Sequence, residues 1–270
     1  MRKAGSPRGL ACLLLLAAGV TTLAIGQAAR GTNRAPVILT VKPPPPLPAP
    51  GILIFANDCG LSWTGSGSTV GGNVWSNLDA SVCGSRNKVV GALHANRKLC
   101  VSGSGNVVTG AAEYGCSASV NGANSLRLVK VAPATLAYPI ASVILTPTYR
   151  VTKLQVTSAK PPLAKGTYYA TCSIQISASM CDLTNITFAC AGPIMVSGSG
   201  NLFSPNQQGL VFYSAGSDIQ FAGSGLRLTG DVFAPCGTVD LSGASGVVTQ
   251  GRIIGRGVTL RGSNWSFQPN

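Results

Sequence analysis

Acidic residues are scarce in this chain: Asp and Glu number 7 in 270 residues, and there is one histidine, His94. That leaves little for acid–base catalysis or a histidine metal site. Charged residues of both signs make up only 10% and aromatics 6%. So little Glu, Lys and Arg, beside 34 glycines, excludes a helical bundle. The glycines follow no G-X-Y period, which excludes collagen. Hydrophobic residues still reach 45%, enough for a packed core.

The chain divides into three parts. Residues 1–30 pair a basic start (Arg2, Lys3, Arg8) with an uncharged stretch from Gly9 to Ala29. This is an apolar helix, serving as a signal peptide or an uncleaved membrane anchor. Ala24-Ile25-Gly26 and Gly26-Gln27-Ala28 are the candidate cleavage sites. Either role places the remainder outside the cytoplasm, secreted or anchored at the cell surface. Residues 31–50 form a Pro-rich linker whose run APVILTVKPPPPLPAP favours an extended polyproline spacer.

Residues 51–270 carry an internal repeat. The pattern apolar-x-apolar-x-Gly-small begins at Leu61, Ala80, Leu99 and Ala118, three steps of nineteen. It returns at Ile174, Ile194, Ile219, Val239 and Val258, in steps of 20, 25, 20 and 19. A second glycine follows by seven at Gly72, Gly91, Gly110 and Gly230. No such unit can bury its own apolar face, but stacked units can. The period predicts an all-β parallel β-helix with coils of 19–20 residues, rather than an antiparallel sandwich. Its inward set is Leu61, Trp63, Val82, Leu99, Val101, Ile174, Ile176, Ile194, Val196, Ile219, Phe221, Val239, Leu241, Val258 and Leu260.

The proline-punctuated region at about 124–170 breaks the period and reads as an excursion from the stack. If it loops out, the Ile174 coil lies directly on the Ala118 coil. Cys116 and Cys172, each two residues before its coil, then stand at one corner and can bridge. The competing arrangement has an extra coil near Leu154 and turns Cys172 toward Cys190. In all, eight cysteines beyond the apolar segment are disulfide candidates for an exported chain: Cys59, Cys83, Cys100, Cys116, Cys172, Cys181, Cys190 and Cys236.

The formal charge is +13, but residues 1–50 hold six of the twenty basic residues and no acid. The repeat region is thus 14 basic against 7 acidic, or +7. That balance suits an anionic cell-wall or surface polymer; basic residues are not clustered with aromatics as nucleic-acid binding requires. No two acids are sequence neighbours, so no carboxylate pair for glycoside chemistry is visible. No metal-ligand spacing occurs, and no cofactor or catalytic residue is assigned. Outward position +3 (Thr64, Cys83, Ser102, Asn121, Ser177, Ser197, Ala222, Ser242, Arg261) forms a small polar ladder, read as a solvated face or a flat adsorbing surface. Trp63, Trp75 and Trp265 are candidate sugar platforms, Trp63 at an inward position.

The blocks SWTGSGSTVGGNVWSN, NITFACAGPIMVSGSG, GLVFYSAGSDIQFAGSGLRLTGDVFAPCGTVDLSG and GRIIGRGVTLRGS resemble secreted bacterial TadG-like, Tad (Flp) pilus-associated proteins over about residues 52–267. The resemblance implies an N-terminal membrane segment, a Gly-Ser-rich β-helical ectodomain and pilus components as partners. A more distant likeness is to β-helical ice-binding adhesins. The reading is a non-enzymatic surface or secreted β-solenoid with a structural, adhesive or pilus-associated role. The alternatives are a carbohydrate-active β-helix enzyme of lyase or hydrolase type and an ice- or surface-binding adhesin.

Overall fold

The computed structural model describes residues 51–137, 143, 145–159, 162–207 and 209–269. The N-terminal apolar segment and the Pro-rich linker lie outside them. Every described strand pairing between named strands is parallel, and no helix occurs among the described residues. The repeat units stack as a β-solenoid of ten coils with three sheet faces. The fifteen residues expected to point inward are all buried, none more than 4% exposed.

The order of the coils differs from the order of the sequence. On the first face the strand partners run Leu154, Ile174, Ile194, Ile219, Val239, Val258, and then Leu61, Ala80, Leu99, Ala118. The last coil of the chain therefore docks beneath the first. The Ala118 coil and the Leu154 coil form opposite ends of the stack. This overturns the expected contact between the Ala118 and Ile174 coils, which are eight spacings of ~4.8 Å, or ~38 Å, apart. The extra coil at Leu154 does exist, but it caps the far end rather than separating those two.

The excursion is thus a strap. After Lys130 it must travel ten spacings of the third face, ~48 Å, to reach Tyr149. Eighteen intervening residues extend to ~60 Å, so the span is within reach. Its described residues lie along the third face. Asn96 Oδ1 accepts from Ala134 N at 2.6 Å, Asn77 Oδ1 accepts from Leu136 N at 3.0 Å and Asn77 Nδ2 donates to Leu136 O at 2.6 Å. Further down, Thr146 N donates to Gln207 Oε1 at 3.1 Å and Thr148 N donates to Thr167 O at 2.9 Å.

Packing explains why the strap lies there. The outward row of the third face reads Tyr169, Ala189, Tyr213, Phe233, Ile254, Phe55 and Trp75 in spatial order, a stripe too apolar to leave in water. Leu136, Val143 and Leu145 of the strap pack against it in a second hydrophobic cluster. Strands of this face are consequently buried on both sides, as at Ile186–Cys190 and Leu210–Ser214.

Two ladders hold the corner after the first face. The glycine at position +4 lets coils approach through backbone alone: a Cβ on Gly84 would lie 1.8 Å from Gly65 O, and one on Gly262 1.6 Å from Gly243 O. Two or three residues on, Asn87, Asn106 and Asn124 each accept from the backbone N–H of the corner residue in the preceding coil, at 3.0–3.1 Å. Their amide groups donate to Gly65, Gly84 and Gly103 carbonyls. At the seam the same job passes to Ser68, whose hydroxyl accepts from Trp265 N at 3.0 Å, while Trp265 Nε1 donates to Gly243 O. Ser263 Oγ accepts from Ser66 N across the same seam.

Candidate functional surface

The eight cysteines of the solenoid are all free thiols in this structure. The proposed Cys116–Cys172 bridge is ruled out by the coil order, since the two residues belong to opposite ends of the stack. Cys172 does stand near Cys190. Ala170 pairs with Cys190 and Ile174 with Ile194, so Cys172 and Cys190 are diagonal neighbours. A sheet diagonal of ~7–8 Å exceeds the ~4.4–6.8 Å disulfide window. Cys83 and Cys100 are diagonal in the same way, since Ser81 pairs with Cys100. Cys59 and Cys236 flank the Val258 coil from opposite sides, at the bulges of their strands.

These thiols differ chemically. Cys83 is exposed, 3.0 Å from Ser81 Oγ. Hydrogen bonds from Ser102 and Ser81, and a weaker one from Cys100, hold its pKa below the ordinary thiol value despite partial desolvation. Cys190 is fully buried, and desolvation pushes it up to about 11, with Cys172 adding to the rise. Burial also raises Cys181.

The seven acids are dispersed, and six face a basic side chain. Arg256 Nε donates to Asp58 at 2.9 Å across the seam, and Arg252 pairs with Asp231 at 2.5 Å between neighbouring coils. Arg261 pairs with Asp240, Arg97 with Asp79 at 3.9 Å and Lys165 with Asp182 at 3.7 Å. His94 Nδ1 meets Glu113 at 2.9 Å. The seventh, Asp218, accepts from Thr238 N at 2.7 Å. The carboxylates thus tie one coil to the next. Asp182 is held below the usual carboxylate range first by the Thr184 hydroxyl and backbone, with Lys165 contributing less. Among the described residues, no group of three or more His, Cys, Asp or Glu could hold a metal ion.

One polar cluster escaped the reading of the sequence. Trp75, His94 and Glu113 occupy the same outward position in three successive coils. Trp75 and His94 stack with centroids 3.6 Å apart, and Trp75 Nε1 donates to Asn77 at 2.9 Å. His94 is buried, and its Nε2 has no hydrogen-bond partner among the described residues. The signal was present in the spacing, because 75, 94 and 113 differ by nineteen. What the period does not reveal is the strap, which turns an outward position into a buried one.

Of the tryptophans, Trp63 and Trp265 are buried in the core and cannot act as platforms, and Trp75 is stacked on His94. Two faces remain open to solvent. The first presents Gln155, Gln175, Met195, Gln220, Asp240, Thr259, Ser62, Ser81, Cys100 and Ser119 in one continuous row. The second presents a row containing Arg227, Val247, Ser266, Thr69, Lys88 and Val107. Both rows advance one residue per coil, at ~4.8 Å. No helix among the described residues is long and apolar enough to cross a membrane. No family model, no curated protein and no solved structure matches this chain.

Proposed function

We propose that the chain is a non-enzymatic, extracytoplasmic bacterial β-solenoid that serves as a structural or adhesive component of the cell surface. Residues 1–30 export or anchor it, and the Pro-rich linker holds the solenoid away from the membrane. The observation that carries this reading is the pair of solvent-facing sheets, whose mostly polar side chains repeat at one fixed spacing. A surface of this kind meets another extended repeating surface, such as a cell-wall polymer or a pilus, better than it encloses a small substrate. The pairing of six of the seven acids with basic side chains of the stack supports it, because hydrolysis of a glycoside needs two carboxylates facing one bond. The domain charge of +7 favours an anionic polymer.

Co-sedimentation with isolated bacterial cell-wall material tests this. The parent chain is expected to pellet with the polymer, and a Ser62→Glu/Ser81→Glu variant of the first face to remain in solution with its circular dichroism unchanged. Release of reducing ends from the polymer by the parent would instead establish the alternative, a carbohydrate-active β-helix enzyme.

A further inference from the structure

Of the eight cysteines, only Cys83 and Cys100 stand at outward positions of the open first face. Their coils are neighbours, since Ala80 pairs with Leu99 and Val82 with Val101. Ser81 and Cys100 are register partners. The backbone stays in register beyond the strands, with Cys83 N donating to Trp63 O at 2.7 Å and Ser102 N to Val82 O at 2.8 Å. Two hydroxyls and two thiols therefore form a square, with the thiols on one diagonal. Ser81 Oγ lies 3.0 Å from Cys83 Sγ, and the Ser102 hydroxyl and the Cys100 thiol hydrogen-bond to the same sulfur. Cys83 is exposed and Cys100 partly exposed, so solutes reach the square from solvent. Lys98, two residues before Cys100 on the same side of its strand, is exposed as well.

We propose that Cys83 and Cys100 together bind one Cu(I) ion as a two-coordinate dithiolate site on the first face. A sheet diagonal of ~7–8 Å is too wide for a disulfide between them. A metal ion relaxes that limit. Thiolate–metal bonds of ~2.3 Å join sulfurs up to ~4.6 Å apart, whereas a disulfide requires ~2.05 Å. Thiolates select soft ions. Structural zinc takes four ligands and an iron–sulfur cluster four cysteines, but Cu(I) is satisfied by two. Binding exchanges Cu⁺ for the two thiol protons with no change of oxidation state, and leaves one net negative charge on the site. The Ser81 and Ser102 hydroxyls direct their hydrogens to the Cys83 thiolate, and Lys98 offsets the net charge. Cys172 and Cys190 stand on a similar diagonal, but Cys190 is fully buried, where a thiolate loses its hydration. The site rests on two coils alone and is independent of the role proposed for the whole surface.

Anaerobic titration of the reduced full chain with Cu(I), against a coloured Cu(I) chelator, tests it. The parent is expected to withdraw a single tight equivalent, and X-ray absorption at the copper edge to show two sulfur ligands. Cys83→Ser and Cys100→Ser are each expected to lose that equivalent with circular dichroism unchanged, while Cys59→Ser and Cys116→Ser keep it. A Ser81→Ala/Ser102→Ala variant is expected to bind about tenfold more weakly, the usual cost of removing groups that support a metal ligand. Retention of the tight equivalent by Cys83→Ser or Cys100→Ser overturns the proposal, as does a copper centre with three or more sulfur ligands. A Cys83–Cys100 disulfide in peptide maps of the unreduced parent overturns it equally, because the diagonal would then be narrow enough to close without a metal.

Discussion

The two arms of the solenoid, residues 51–130 and 149–268, solve one packing problem with different chemistry. Toward the Leu154 end of the second arm the inward row of the third face is aromatic. Tyr149, Tyr168, Phe188 and Phe212 stack one above another at centroid distances of 4.5, 6.2 and 5.3 Å. The row turns aliphatic at Val232 and Ile253 and continues in the first arm as Ile54, Val74, Leu93, Ala112 and Leu128, narrowing toward the open end. The corner ladder shows the reverse. Asn87, Asn106 and Asn124 run unbroken in the first arm, whereas the second uses Cys181, Asn201, Leu226 and Trp265. The first arm leans on satisfied side-chain amides that follow one another in steps of 19 and 18, and the second on ring packing that tolerates steps of 20 and 25. Side-chain amides leave the chain little freedom, because each must meet a carbonyl and an N–H from a neighbouring coil. Apolar rings need volume only, so a longer loop between Val196 and Ile219 costs the second arm little.

The largest effect expected is from a buried charge in either arm. Phe221→Asp and Val101→Asp should each fail to fold, because an unpaired carboxylate in an apolar core costs several kcal/mol. A cooperative melt like the parent's for either variant would refute the inward assignment. Truncations then separate the arms. Phe221→Ala should lose about 3–5 kcal/mol. Val101→Ala removes far less side chain and should lose roughly 2 kcal/mol by the same transfer-and-cavity reasoning. Equal losses in urea denaturation would show that the aromatic arm is not the more tightly packed one.

The Asn ladder comes next. Asn106→Ala leaves Asn87 N and Gly84 O without their buried partners, and should cost about 3 kcal/mol. Asn77→Ala should cost less, about 1–2 kcal/mol, because the strap backbone it releases at Leu136 can find water. Faster proteolysis within 131–148 in Asn77→Ala, with the coils intact, would confirm that this residue fastens the strap.

The smallest effect is on the thiols. Cys83 should react with iodoacetamide at a lower pH than Cys190, which needs opening of the fold or a pH near 11. Because the folded-state pKa of Cys190 is raised, its contribution to stability is complete below the ordinary thiol value of 9.0. That contribution is lost between there and about 11. A melting temperature that does not fall across that window, in comparison with Cys190→Ala, would contradict this sign.

Much of this was legible from spacing. The phase of nine of the ten coils and their inward residues follow from the repeat, because a residue's side of a strand depends only on its place in it, whereas the Leu154 coil lies in the stretch that breaks the period. The Trp75–His94–Glu113 cluster was legible in spacing and illegible in burial. Sequence periodicity gives which face a residue occupies, not what lies over that face.

The sequence by itself determined that this chain winds into a parallel β-solenoid and which side chains fill it. Tertiary structure alone decided the order of the coils. Every coil presents the same kind of edge above and below, so stacking Ile174 on Ala118 or Val258 beneath Leu61 buries the same inward positions. The choice rests on contacts between residues almost two hundred positions apart: Ser66 with Ser263, Ser68 with Trp265, and Asp58 with Arg256. It rests equally on a strap long enough to run the length of the stack and apolar enough to stay on the aromatic stripe it covers. No local pattern encodes such pairings, because their partners are neighbours only after the chain has closed on itself.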